Sequence, residues 1–432
     1  MTLTRRQFLV ATGVAGLAVS GCGSTAIEPG TGPALTGGYT GPPVTISFWN
    51  GFTGGDGPAM RRLVTAFNES QDRIVVAQNT VRWEQFYQRV VAAVHAGKGP
   101  DVGAMHLEQL GTQAARQTVN PLDDVVDELG LRPEEYPQSV WEAGRYRDRR
   151  YGIPFDVHSL ASFANLDLLG RTTQQQPADA QGLQATMAAL QQAGVDTPLW
   201  VPNAWPAHLI FLSLLWQHGG EPYALDGSRA TFDSDAGVAA LRWMRGQVDA
   251  GFSPPNVAED SQYTAFKNGQ GVFTWDGIWQ INDLQTNAPD LKWSLAPLPR
   301  IGDQPAVLAN SHQLVIFRNR EPDDNKLVAA KAFLKYLTEQ SAAWTAAGMI
   351  PARSAARETP DFTASPQAVL TPTIPTMRFL PTLPGVPDVQ SQTLEIAVQE
   401  AVLGRVEPAA ALRAAAQQAT TLMQANLNKF RG

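Results

Sequence analysis

The chain has 432 residues, of which 44% are hydrophobic and 17% charged, and its formal net charge is −7. That length can bury a large core and points to two lobes rather than one. The acidic balance, with no long basic run, argues against a nucleic-acid partner, and a single cysteine excludes a disulfide framework or a multi-cysteine metal site.

That cysteine stands near the start. Arg5-Arg6-Gln7-Phe8-Leu9 opens an apolar stretch running to Val19, shorter than the roughly 20 residues needed to span a bilayer. A basic start with a short apolar centre reads as an export signal over residues 1–21. The arginine pair fits a twin-arginine signal, with a Sec signal as its rival. Ala18-Val19-Ser20-Gly21-Cys22 looks like a bacterial lipobox, so Cys22 is the expected lipidation site. Residues 22–43, rich in Gly, Thr and Pro, read as a flexible tether. The expected location is the outer face of the cell membrane, held by acyl chains.

Val44 to Trp49 alternates and is β-branched, as a first strand should be. After the Gly-rich loop Asn50–Gly57, Pro58 starts a helix whose Met60, Leu63, Val64 and Phe67 recur at helical spacing. A second strand is predicted at Ile74–Ala77, a helix at Glu84–Ala96 and a third strand at Asp101–Met105. Such alternation predicts an α/β lobe with a largely parallel sheet. The glycine loop lacks the spacing and the Lys-Ser or Lys-Thr of a phosphate loop, so a nucleotide site is not expected. Tyr151 to Leu169 holds a proline-marked turn and an extended apolar run. Trp200 to Trp216 leads into a helix ending at Gly219-Gly220, and Asp235 to Ala250 is amphipathic. Helix, short strand, loop and helix start follow in "YTAFKNGQGVFTWDGIWQIND"; Lys326–Leu337 and Pro408–Asn428 close the series as helices.

These segments, in this order, resemble the substrate-binding lipoproteins of carbohydrate ABC importers, the maltose-binding-protein-like family. The motifs that carry the resemblance are "VTISFWNGFTGGD", "GKGPDVGAM", "YGIPFDVHSLASFANLDLLG", "FKNGQGVFTWDGIWQI", "APLPRIGDQPAVLANSHQLVI" and "KAFLKYLTEQSAAWTAAGMIPAR". The chain looks most like mycobacterial sugar- or amino-sugar-binding lipoproteins, with glycerophosphodiester binders as near relatives. The resemblance implies a periplasmic-binding-protein-like α/β fold, two discontinuous lobes joined by a hinge with a ligand cleft between them. The N-terminal lobe is expected over 44–156 and 306–345 and the C-terminal lobe over 157–305 and 346–432. Crossovers then fall near Asp156, near Ala306 and after Thr345. It also implies a monomer that needs no cofactor or metal and docks on permease subunits of the importer.

Sugars present hydroxyls that need polar partners and C–H faces that pack on rings, so a sugar site combines aromatic platforms with polar side chains. Trp243 and Trp344 are expected in the core. Trp205, Trp275 and Trp279, with Asp276 and Gly277, are the loop candidates for ligand contact, ring packing being the alternative for Trp275 and Trp279. Strand direction points Asn50, His106 and Glu108 at the cleft; helix capping is the rival role for Glu108. Asp156 and His158 lie at one crossover, as ligand contacts or hinge hydrogen bonds. The resemblance puts Asn310, Ser311 and His312 at the other, and likens Arg378 to the ligand-closing arginine of phosphodiester binders, with a structural salt bridge as its rival. An exported glycoside hydrolase needs two carboxylates across a cleft, for which only Glu108 and Asp156 offer themselves. No HExxH or GxSxG occurs and the six histidines are scattered, so an enzyme is not expected.

Overall fold

The computed structural model describes residues 38–173 and 175–430. The export signal, Cys22 and the tether up to residue 37 lie outside the described residues. Within the segment read as tether, Tyr39 packs on the core and Arg73 donates to the Gly41 carbonyl at 3.1 Å, so its last residues lie against the body.

In chain order the strands are β1 Val44–Asn50, β2 Ile74–Thr80, β3 Val102–His106, β4 Arg145–Tyr146, β5 Arg149–Arg150, β6 Ile153–Pro154 and β7 Asp156–Asn165. They continue with β8 Phe273–Gly277, β9 Trp293–Ala296, β10 Val307–Asn310, β11 His312–Ile316, β12 Ile350–Pro351 and β13 Met377–Arg378. One sheet runs β2-β1-β3-β11-β6; a second runs β12-β7-β10-β13, with β8 and β9 also pairing β7.

In the first sheet β1, β2 and β3 are parallel, as the strand–helix alternation predicts. β1 buries Ile46, Phe48 and Asn50 and turns the residues between them outward, the period of a strand covered mainly on one face. Helices α1 (Gly57–Glu69) and α2 (Trp83–His95) follow β1 and β2. α1 buries the predicted stripe of Met60, Leu63, Val64 and Phe67. Helix α3 (Leu107–Ala115) starts directly after β3.

The second sheet is built around β7, all ten residues of which are buried. A strand with neighbours in the sheet and layers on both faces needs such a run. The helix Ala207–Gln217 is buried all round, as its unbroken apolar sequence requires.

The chain changes sheets where strands abut. β6 belongs to the first sheet and β7 to the second, so Phe155 is the passage. β10 and β11 are separated by Ser311 alone, which places the return there rather than near Ala306. The third passage falls between Ala347 and β12, which pairs β7.

Candidate functional site

The C-terminal ends of β1, β2 and β3 open onto one cleft, where ligands bind in parallel sheets. Its volume is about 1270 Å³. From the first sheet its wall is the loop after β1, Trp83 and Tyr87 after β2, and His106 and Glu108 after β3. Gly51 allows that wall, since a Cβ there would meet the Trp83 ring at 2.0 Å. From the second sheet come His158 on β7, Asn310 on β10, and Trp205, His208 and Trp279. His312, the first residue of β11, closes the floor.

Rings dominate the floor. Trp83 stacks on Tyr87 at 5.8 Å and on His312 at 5.5 Å, with His106 at 4.4 Å. Trp279 lies 6.4 Å from Trp205 and 6.0 Å from His158. Trp205 is 43% exposed, an unusual state for tryptophan that leaves a ring face open to the cleft.

The cleft is acidic. Seven carboxylates line it against two cations, Arg116 and Lys267. Both cations already face acids, Lys267 at 2.8 Å from Asp283 and Arg116 at 4.0 Å from Asp388. Burial pushes the Glu108 carboxyl up to about 7, helped by the charge of Glu395 and opposed by a hydrogen bond from Asn310. Burial also lowers His208 to about 3, so its imidazole is neutral 3.5 Å from Glu395.

Under the floor sits Asp156, fully buried. Its Oδ1 accepts from His158 Nδ1 at 3.1 Å and from the His312 backbone N–H at 2.9 Å. Its Oδ2 accepts from His312 Nδ1 and from Trp344 Nε1, both at 2.7 Å. Burial alone would raise this carboxyl; the electrostatic influence of the His312 ring and the histidine hydrogen bonds outweigh it and hold the group well below the usual carboxylate range.

Seven of the fourteen expected contacts line the cleft: His106, Glu108, His158, Trp205, Trp279, Asn310 and His312. The others are placed elsewhere. Asn50 is fully buried, its Oδ1 accepting from the Phe52 N–H and the Thr80 hydroxyl to shape the loop. Asp156 is the buried acceptor just described, which also removes it from any hydrolase pair with Glu108. Trp275 belongs to β8, not to a loop, and stacks on Trp243 at 5.3 Å and 1° in the core. Asp276 is buried in the same strand, accepting from the Gly277 N–H at 2.7 Å and Gln262 at 3.3 Å. Gly277 is there because a Cβ would meet the Trp279 ring at 2.1 Å. Ser311 is fully buried and accepts from Gln313 Nε2 at 2.8 Å. Arg378 is exposed on the edge strand β13 and does not itself line the cleft, although Phe379 and Leu380 after it do. Trp344 is core, as expected.

Trp83, Tyr87, His208 and Glu395 line the cleft without having been expected there. For Trp83 the signal was present, because it follows the end of β2 on the side where β1 and β3 also end. Glu395 comes from a late helix, Leu394–Val402, and carries no local signal.

Residues 62–370 match the profile of the bacterial extracellular solute-binding proteins. The chain belongs to that family. The family binds solutes and performs no catalysis, which settles the hydrolase reading. A binding protein of Brucella abortus (strain 2308) is 22% identical over 85% of this chain and 90% of its own length. The sn-glycerol-3-phosphate-binding periplasmic protein UgpB of Yersinia enterocolitica is 24% identical over 72% of this chain and 75% of its own. The sugar-binding protein MalE of Xanthomonas citri superposes with a TM-score of 0.77 at 21% identity, over 90% of this chain and 99% of that one. This solute-binding protein therefore has the mixed α/β periplasmic-binding-protein fold of the maltose-binding proteins, as its sequence motifs led one to expect.

Proposed function

We propose that this solute-binding protein captures a carbohydrate between two lobes and delivers it to the permease of an ABC importer. The observation that carries the reading is the cleft, where open Trp205 and Trp279 rings stand beside histidines, Asn310 and an excess of carboxylates. Rings cover sugar C–H faces and polar groups take hydroxyls. Seven acids against two paired cations favour a neutral or cationic sugar, an amino sugar included, through charge-assisted hydrogen bonds. The fold shared with a sugar-binding MalE supports the same class. Strands of both sheets line the cleft, which supports hinge closure of the two lobes on the ligand.

A glycerophosphodiester is the second reading, supported by the likeness to UgpB. Less supports it: Arg378 does not line the cleft, and both lining cations face acids. Tryptophan fluorescence titrated with glucosamine, N-acetylated sugars, maltose, trehalose and glycerophosphocholine tests both readings. Saturation by a sugar, recovered unchanged, is expected; saturation by glycerophosphocholine alone overturns the carbohydrate reading. The protein is proposed to act as a monomer, exported and held at the membrane by acyl chains on Cys22. Cys22→Ala should release it from membranes with its affinity intact, and retention of that variant would sink the anchor.

A further inference from the structure

Three histidines far apart in sequence meet on the cleft floor. His106 ends β3 and is the direct register partner of His312, which opens β11. His158 on β7 is the register partner of Asn310, two residues before His312 and across the Ser311 passage. Opposed residues share a sheet face, so the change of sheets at Ser311 draws the rings together. Their centroids lie 4.5 to 5.9 Å apart. One ring nitrogen of each lies within 4.8 Å of those of the other two.

In every ring Nδ1 is already engaged. Asp156 takes His158 Nδ1 and His312 Nδ1, and Tyr87 Oη, which also accepts the His106 backbone N–H, lies 2.8 Å from His106 Nδ1. The nitrogen left to each ring is Nε2, and no hydrogen bond within the described residues engages it, since each ring's bond runs through Nδ1. A histidine that donates Nδ1–H to a carboxylate carries its lone pair on Nε2. This is how outer groups fix metal-ligating imidazoles. All three rings line the cleft, so those nitrogens are turned toward the space a ligand or ion would enter.

We propose that His106, His158 and His312 form a divalent transition-metal site of the zinc class, with a fourth position open to the cleft and Asp156 and Tyr87 orienting the ligands. Three imidazoles without a carboxylate or thiolate suit such an ion and not calcium or magnesium, which take oxygen ligands. Ligand nitrogens about 2.0–2.1 Å from a tetrahedral ion stand about 3.4 Å apart, a spacing that ring nitrogens already within 4.8 Å of one another reach by side-chain adjustment. The acidic cleft raises the local concentration of cations. Two ligands come from the first sheet and one from the second, so the ion ties the sheets where the chain passes between them. The open position takes a water or an oxygen donor of a bound solute. None of this depends on the solute being a carbohydrate.

The test is calorimetric titration of the chelator-stripped full chain with ZnCl₂, with CoCl₂ absorption as a spectroscopic copy. One ion per chain is expected, together with the intense visible bands of four-coordinate cobalt, which ZnCl₂ abolishes and MgCl₂ does not. His106→Gln should lower zinc affinity at least 100-fold. Tyr87→Phe, which removes only an orienting hydrogen bond, should lower it by about 10- to 100-fold, with circular dichroism unchanged. The unmutated chain supplies a readout that no folding defect can mimic. Absence of saturable zinc and cobalt binding to it overturns the site, as does binding that His106→Gln leaves intact.

Discussion

The passage region around Asp156 and the strand end around Asp276 invite comparison, because each sets a buried carboxylate beside a tryptophan and a cleft ring. At the passage, Asp156 collects four donors from His158, His312 and Trp344, and its carboxyl is held well below the ordinary range. At the end of β8, Asp276 collects the Gly277 N–H and glutamine side chains. There burial wins over those bonds and pushes the carboxyl up to about 7. Equal burial accompanies opposite shifts. The difference teaches that the supply of charged or strongly polar donors decides whether a buried carboxylate ionises.

The largest test of that contrast is Asp156→Ala. It leaves two imidazole N–H groups, an indole N–H and a backbone N–H buried without an acceptor. A loss of about 3–5 kcal/mol of stability is expected, the range for removing one partner from a buried polar network. Urea unfolding measures it, and an unchanged midpoint would show that the passage does not depend on its carboxylate.

Asp276 gives a pH signature that it shares with Glu108. A carboxyl raised in the folded chain binds its proton more tightly there than in the unfolded chain. Its contribution is therefore complete below the ordinary 3.8 and is lost as pH rises through about 7. The expected fall across that window is about 4 kcal/mol. Asp276→Asn should remove its share and leave the part that Glu108, also raised to about 7, contributes in the same window; a variant with the full original slope would assign the titration to another group.

The contrast also marks what was legible in the sequence. Periodicity and β-branching reveal β1, α1, α2 and β3, because each buries a repeating face that its own residues display. "TWDGIWQI" misleads for a physical reason. Asp276-Gly277 has the composition of a turn, yet Ala161 and Leu160 of β7 pair it into a ladder, and that neighbour lies more than a hundred residues away. The strand-end rule points His106 and Glu108 at the cleft, where the structure has them. The convergence of His106, His158 and His312 rests on register between distant strands, which no local pattern encodes. Trp83 was within reach of the same rule; Glu395 was not, since a late helix carries it to the cleft.

Within the β8 region, Trp275 and Trp279 sharpen the comparison further. Trp275 stacks on Trp243 in the core, and Trp279 faces the cleft four residues later. Trp279→Ala should weaken binding of a confirmed sugar by about 2–4 kcal/mol, the range for an aromatic anchor, with little change in melting temperature. Trp275→Ala should do the reverse, losing stability while any folded fraction keeps its affinity. Calorimetry beside thermal unfolding separates them, and equal binding losses in both variants would erase the distinction.

The smallest expected effect concerns Glu108, a carboxylate on the cleft wall that accepts a hydrogen bond from Asn310. Glu108→Gln keeps shape and hydrogen-bonding capacity and removes one negative charge. A cationic amino sugar loses a charge-assisted bond, worth roughly twice a neutral one, and should bind about tenfold more weakly, or about 1.4 kcal/mol. A neutral sugar exchanges one hydrogen bond for another and should change by less than about threefold on the same scale. Stability at pH 8 should rise rather than fall, because burial holds the Glu108 carboxyl at about 7 and its ionised form costs folding stability above that. The comparison is calorimetry near pH 7, where glucosamine is mostly an ammonium cation, against glucosamine and a neutral sugar. Equal weakening of both would mean that Glu108 acts through shape or by capping α3, and would remove the charge basis for preferring an amino sugar.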